Sequence, residues 1–234
     1  GVEFVGATIS GKAGSAATDL YAITYDSSYK LWYYADVTSA DPAVEVTTSV
    51  EPHFVQKISP TRAVAIHQKL STADPSQSVL MIIDSGVETA TYTIDIFDTG
   101  YGASGYSYCG RYFVPMDGGN SIAITGNRWD YITGLTIDDV RGAVVVVTNL
   151  LSGTISETSY VVTGYVHSTD RSVAVDDSGN VYFDFYKQGE GKHSVFSWAS
   201  PYSAAPTIRV TENTGTTAYY LALQATPDQT LLVA

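Results

Sequence analysis

Short apolar runs rich in Val, Ile, Ala and Tyr recur along this chain, and each is cut off by a cluster of Asp, Ser, Asn, Gly or Pro. No window carries a sustained 3.6-residue apolar period, whereas alternation of apolar with polar residues is common, so the pattern predicts strands rather than helices. β-branched and aromatic side chains suit a pleated, half-buried surface. Turn signals fall between the runs at Asp26-Ser-Ser28, Asp41-Pro42, Asp84-Ser-Gly86, Leu151-Ser-Gly153, Asp177-Ser-Gly-Asn180, Gln188-Gly-Glu-Gly191 and Asn213-Thr-Gly215. An all-β fold follows.

Within that pattern one hairpin recurs five times: an apolar strand, a tight polar turn, and a second strand in which apolar residues flank a small or apolar one. The clearest copies are His53–Ile58 with Ala63–Ile66, and Gly110–Met116 with Ser121–Thr125. Another runs Gly164–His167, turn 168–171, Ser172–Val175; the last pairs Ala218–Leu223 with Thr230–Val233, and a looser first copy pairs Val2–Ile9 with Leu20–Thr24. The central residues of the second strands, Ala22, Ala65, Ala123, Ala174 and Leu232, lie 43, 58, 51 and 58 residues apart. Such a period suits one four-stranded propeller blade with variable loops.

Two further strands follow each of the first four hairpins. They are Tyr29–Val37 and Ala43–Thr48, Ser78–Asp84 and Thr91–Phe97, Val140–Thr148 and Thr154–Val162, then Val181–Tyr186 with His193–Trp198 or Thr207–Thr211. The expected architecture is a β-propeller of four-stranded antiparallel meander blades, about four blades plus a partial fifth. The blades would span residues 2–49, 53–97, 110–162, 163–212 and 217–234, as a single domain or as a fragment of a larger propeller. The last hairpin brings no third or fourth strand, which predicts completion by polypeptide beyond this sequence, because a lone ribbon cannot cover its apolar face.

Two phrases carry a resemblance. Ile58-Ser-Pro-Thr-Arg-Ala-Val-Ala-Ile66, followed by a polar loop, an apolar strand and the turn Asp84 to Gly86, resembles the repeats of degenerate β-propeller proteins found in bacterial surface proteins and tailed-phage virion proteins. Val173-Ala-Val-Asp-Asp-Ser-Gly-Asn-Val-Tyr182 resembles the strand-turn-strand phrase of NHL-type propellers. Neither phrase holds a catalytic residue, so the resemblance implies a fold and a habit of binding rather than an activity.

Composition changes this picture in three ways. Only 15% of the residues are charged and the net charge of −12 is spread over both halves of the chain. With no basic stripe to neutralise phosphates, nucleic-acid binding is not expected. Cys109 is the only cysteine, so stability rests on packing rather than on an intrachain disulfide, and a small buried hydrophobe is its expected role. The apolar runs, such as Gly142–Val147, are too short to span a bilayer as helices, so no membrane insertion is expected. Low charge with many Ser, Thr and Tyr suits an extracellular or virion surface.

Candidate chemistry is sparse. His53, His67, His167 and His193 show no metal-ligand spacing, and no calcium loop, nucleophile elbow or phosphate-cradling loop is present, so no catalytic residue, cofactor or metal is expected. Asp176-Asp177-Ser-Gly-Asn180 reads as a tight turn whose Gly supplies positive φ and whose Asp caps backbone amides. A propeller glycosidase would need a carboxylate pair. Asp84, Asp95, Asp98, Asp138, Asp139 and Asp184 are available for one, but most alternate with apolar residues or end strands, where a solvated face is the ordinary role.

The most suggestive surface is aromatic. Tyr101, Tyr106 and Tyr108, with Trp129 and Tyr131 in the next inter-strand segment, sit among Gly and Ser, a combination typical of adaptable binding loops. The competing role for the same tyrosines is packing between blades, and Trp32-Tyr33-Tyr34 reads as strand core. Together these features point to a non-catalytic structural or adhesive module that contacts other protein subunits or glycan. A soluble glycan-binding lectin is the alternative, and a propeller glycosidase a more distant one.

Overall fold

Among the described residues the strand-forming pattern is realised: the protein is all-β and its sheets are antiparallel. The computed structural model describes residues 3–9, 19–68, 78–95, 107–130, 139–167, 173–187, 189–213, 223–225 and 231–233. The chain divides into two compact units, Gly1–Gln68 with Ser76–Ile94, and Lys69–Pro75 with Asp95–Ala234.

The first unit holds two four-stranded meanders in sequence order. One is β1 (Glu3–Ile9), β2 (Leu20–Tyr25), β3 (Tyr29–Tyr34) and β4 (Val44–Val46); the other is β5 (Phe54–Lys57), β6 (Arg62–His67), β7 (Val79–Asp84) and β8 (Val87–Thr93). The β7–β8 turn is only Ser85 and Gly86, with φ of 47° and 83°. Two left-handed residues match the twist of the flanking strands, so Asp84 pairs directly with Val87 and β8 starts there rather than at Thr91. Glycine is required in that turn for a second reason: a Cβ on Gly86 would lie 2.5 Å from Cδ1 of Tyr33.

Tyr21, Ile23, Leu31 and Val46 of the first sheet pack with Val55, Ala63, Ala65, Met81 and Ile83 of the second. The small residues Ala63 and Ala65 give room to this tyrosine and these aliphatics. Their strand neighbours Val64 and Ile66, and Leu80 and Ile82 on β7, are buried as well. Both faces of β6 and β7 are therefore covered. Trp32, Tyr33 and Tyr34 lie within β3 as expected but are half-buried rather than core: the Trp32 indole donates to Thr24 Oγ1 (2.9 Å) and Tyr33 packs on Tyr21 at 4.9 Å. A feature the sequence pattern did not signal is the buried Lys57 ammonium, which pairs with Asp19 and donates to the Pro60 carbonyl (2.9 Å).

The second unit opens with β9 (Ser107–Met116), β10 (Ser121–Asp130), β11 (Asp139–Thr148) and β12 (Ser156–Val162), in which a short 3-10 turn, Asp117–Gly119, joins β9 to β10. Its second sheet contains β13 (Tyr165–His167), β14 (Val173–Val175), β15 (Val181–Lys187), β16 (Lys192–Trp198) and β17 (Thr207–Asn213). A final ribbon pairs β18 (Leu223–Ala225) with β19 (Leu231–Val233).

Here one expectation is corrected. The hairpin read at Gly164–His167 and Ser172–Val175 does not form, because β13 and β14 do not pair with each other. Both pair with β15: His167 lies opposite Phe185 and Val173 opposite Phe183, so the two segments follow one another along the same neighbour. The seven-residue β15 offers ladder groups along its whole length, and two short segments in line satisfy them where one would not. The chain reverses instead at 176–180, and the second strand of this sheet is β15. Its midpoint is Asp184 rather than Ala174, so both strands offered as alternatives for the fourth, β16 and β17, are present.

The sheets of this unit meet face to face. Ala123, Val144, Val146 and Val162 pack against Val173, Val181, Phe183, Phe185, Phe196 and Trp198. Gly142 is where the approach is tightest, since a Cβ there would lie 2.6 Å from two ring carbons of Phe185. The opposite face of the second sheet carries Ala174 and Val195, which cluster with Leu223 of the ribbon. Among the described residues no helix is long and apolar enough to cross a membrane.

Candidate functional site

The interface between the two sheets of the second unit changes character toward one end. Side chains two apart on a strand share a face, and along that face Ala123 gives way to Ser121 and Val146 to Thr148, while Val175 and Met116 continue the apolar character of Val173 and Val114. The sheets part there, and a cleft of about 640 Å³ opens between the β9–β10 turn, the end of β11, the β14–β15 turn and the β16–β17 connection.

The β14–β15 wall is built as the sequence predicts. Asp176 Oδ1 accepts the amides of Ser178 and Asn180, each at 2.9 Å, while Oδ2 accepts Asn180 Nδ2 (2.8 Å) and the Tyr182 hydroxyl (3.1 Å). Gly179, at φ 77°, closes the turn by donating to the Asp176 carbonyl at 2.9 Å. Burial pushes the Asp176 carboxyl up, but these hydrogen bonds outweigh it and hold the group below the usual carboxylate range. Its oxygens are occupied by structure.

Tyr202 forms the facing wall. Its ring packs on buried Trp198 at 5.0 Å and its hydroxyl donates to the Gly179 carbonyl at 2.6 Å, tying the β16–β17 connection to the Asp176 turn. Burial pushes the hydroxyl's pKa up, and the charges of Asp176 and Asp117 push it further. Asp117 and Asp177, both exposed, complete the acidic rim. Asp117 and Tyr202 are non-glycine residues at φ 52° and 64°, a conformation that costs about 1–3 kcal/mol and persists only where the surroundings impose it. No lysine, arginine or histidine is among the described residues that line the cleft.

Of the aromatic residues singled out in the sequence, only the backbones of Tyr108 and Trp129 are described. Tyr101, Tyr106 and Tyr131 lie outside the described residues. Tyr108 and Trp129 stand on neighbouring strands, paired with Asn127 and Val140. Tyr108 is eight positions along β9 from Met116, roughly 26 Å at strand rise, so its backbone lies at the far end from the cleft. The cleft residues Asp117, Asp177, Ser121 and Tyr202 were not foreseen as a site. The available signal was the repeat itself: the β9–β10 and β14–β15 turns both join first to second strands of successive sheets, and equivalent turns lie at the same end.

Of the acids available to a glycosidase, Asp95 is exposed, while Asp84 and Asp184 have other work. Arg62 donates to both oxygens of Asp84, from Nε (2.6 Å) and from the terminal nitrogen (2.7 Å). Asp184 is fully buried and bonds His193 Nδ1 at 2.7 Å. Asp98 and Asp138 lie outside the described residues, as does the side chain of Asp139. His53 and His67 stack at 4.9 Å in the first unit, where His53 Nδ1 accepts the Gln68 amide and His67 Nδ1 donates to the Glu51 carbonyl, both at 2.8 Å. Among the described residues no three His, Cys, Asp or Glu side chains converge as a metal site. The side chain of Cys109 is outside the described set. No protein-family model matches the chain, and no curated protein matches it in sequence.

Proposed function

We propose that this chain is a non-catalytic β-propeller module of an extracellular assembly, such as a virion appendage or a cell-surface protein, which makes protein or glycan contacts. The observation that carries the reading is the succession of four-position antiparallel meanders, packed as neighbours within each unit with their first strands touching: β1 on β5, β9 on β14 and β14 on β18. First strands crowd together in this way when they lie nearest a common axis. The low charge and the dominance of Ser, Thr and Tyr on the polar side support an extracellular setting. Carboxylates committed to Arg62, His193 and the 176–180 turn support binding over catalysis.

A second reading, a glycan-binding lectin, is favoured by the cleft in the second unit. Electron microscopy of the full-length protein tests the fold: top views should show blades about a central axis, and an open stack of sheets would overturn it. A panel of chromogenic glycosides tests the chemistry. No turnover is expected, and turnover abolished by replacing a single acid would establish an enzyme instead.

A further inference from the structure

We infer that the cleft between the two sheets of the second unit binds the end of an uncharged glycan, an inference that rests on the glycan-contact reading above and names its site and ligand class. Its volume of about 640 Å³ falls in the range of small-ligand sites, roughly 300–1,000 Å³.

The lining has the two-sided chemistry of a sugar. Met116, Val146 and Val175 supply an apolar floor for C–H groups, while Asp117 and Asp177 offer acceptor-only carboxylates to sugar hydroxyls. Ser121 supplies an independent sign of a ligand. It is 5% exposed, its side chain shares the face of Ala123 that looks into the sheet interface, and its hydroxyl has no protein partner among the described residues. That hydroxyl is reached only from the cleft, where a ligand hydroxyl can take the place of water. The sign of the charge narrows the class. Every formal charge lining the cleft is negative and the chain carries −12 overall, so sialylated, sulfated or phosphorylated ligands are disfavoured.

The walls are rigid before any ligand arrives. Asp176 is held by four hydrogen bonds, and Tyr202 is locked by Trp198 and Gly179 in a left-handed conformation. A preorganised site spends less of its binding free energy on ordering.

The test uses the whole chain on an array of neutral and anionic glycans, followed by titration calorimetry with the best neutral hit and, separately, with spermidine as a purely cationic probe. Two variants are compared with the parent: Ser121→Ala and Asp177→Asn, each checked for an unchanged melting curve. Asp41→Asn, an exposed acid of the first unit, serves as control. A neutral glycan bound by the parent and the control, and about tenfold more weakly by each cleft variant, is the expected result. Neutral-glycan binding that neither variant weakens would leave the lectin reading standing and place its site elsewhere, overturning this inference. Spermidine binding without glycan binding, or preference for sialylated glycans, would overturn the ligand class. No binding to any probe would remove the glycan site while leaving the assembly reading intact.

Discussion

Replacing Gly142 with Ala tests how closely the two sheets of the second unit are pressed together. The new methyl would stand 2.6 Å from Cδ2 and Cε2 of Phe185 and 2.9 Å from Cγ, against an ordinary carbon–carbon contact of about 3.5–4.0 Å. Neither side can retreat easily. Gly142 is paired with Asn127 on one side and Val162 on the other. The Phe185 ring is fully buried, with Phe183 at 5.0 Å and Phe196 at 6.1 Å. Overpacking of this kind costs about 1–3 kcal/mol, and the smaller backbone entropy of Ala returns roughly 0.5–1 kcal/mol of it. A contact of 2.6 Å belongs to the upper part of the overpacking range, so the net loss is about 1–2.5 kcal/mol and should lower Tm by about 2–10 °C for a chain of this size. The assay is thermal unfolding followed by near-ultraviolet circular dichroism, which reports the aromatic packing. Phe185→Leu provides the control: it opens a cavity and is destabilising alone, but it makes room for the methyl. The double variant should therefore lose less than the two single losses combined, by at least about 0.5 kcal/mol. A Gly142→Ala variant that melts at or above the parent, or strict additivity in the double variant, would refute the close approach.

The same interface predicts that Ala123→Leu, at a fully buried position facing the aromatic sheet, overpacks the core by about 1–3 kcal/mol, read as a lower urea midpoint; an unchanged midpoint would show that face to be open. Asp176→Ala should strand the amides of Ser178 and Asn180 and cost about 1–3 kcal/mol, whereas loss of stability within error of zero would mean water replaces the carboxylate freely. The pH dependence follows from carboxyls held low when folded. Hydrogen bonds from Arg62 hold Asp84 below the usual range, offsetting its burial, and Asp176 is held low as well. Each contributes stability that is fully present above the unfolded value near 3.9 and is lost as pH falls through the lower folded value. Asp84→Asn should flatten the acid limb of urea midpoint against pH. Its neutral-pH cost should stay below about 1 kcal/mol because the pair is partly exposed. An acid limb identical in parent and variant would show the pair contributes nothing.

Elements that depend on near neighbours along the chain are legible from the residues alone. Alternation in Ala63–Ile66 and Ser121–Thr125 encodes strands that bury both faces, and Ser85-Gly86 and Asp176 to Asn180 encode turns whose dihedrals and capping bonds involve only residues close by. Those effects are sterics and short-range hydrogen bonding, readable residue by residue. Which strand a segment pairs with is a different matter. Tyr165–His167 and Val173–Val175 look like two arms of a hairpin, yet each gains more by lining up along β15, whose seven residues need a partner throughout. The cleft is likewise a tertiary product. Asp117, Ser121, Asp177 and Tyr202 are spread over more than eighty residues of chain, and nothing local marks them as a set. They meet because two successive sheets present Ser121 and Thr148 beside Met116 and Val175 at the same end, so only the stacking of those sheets could decide where the surface opens.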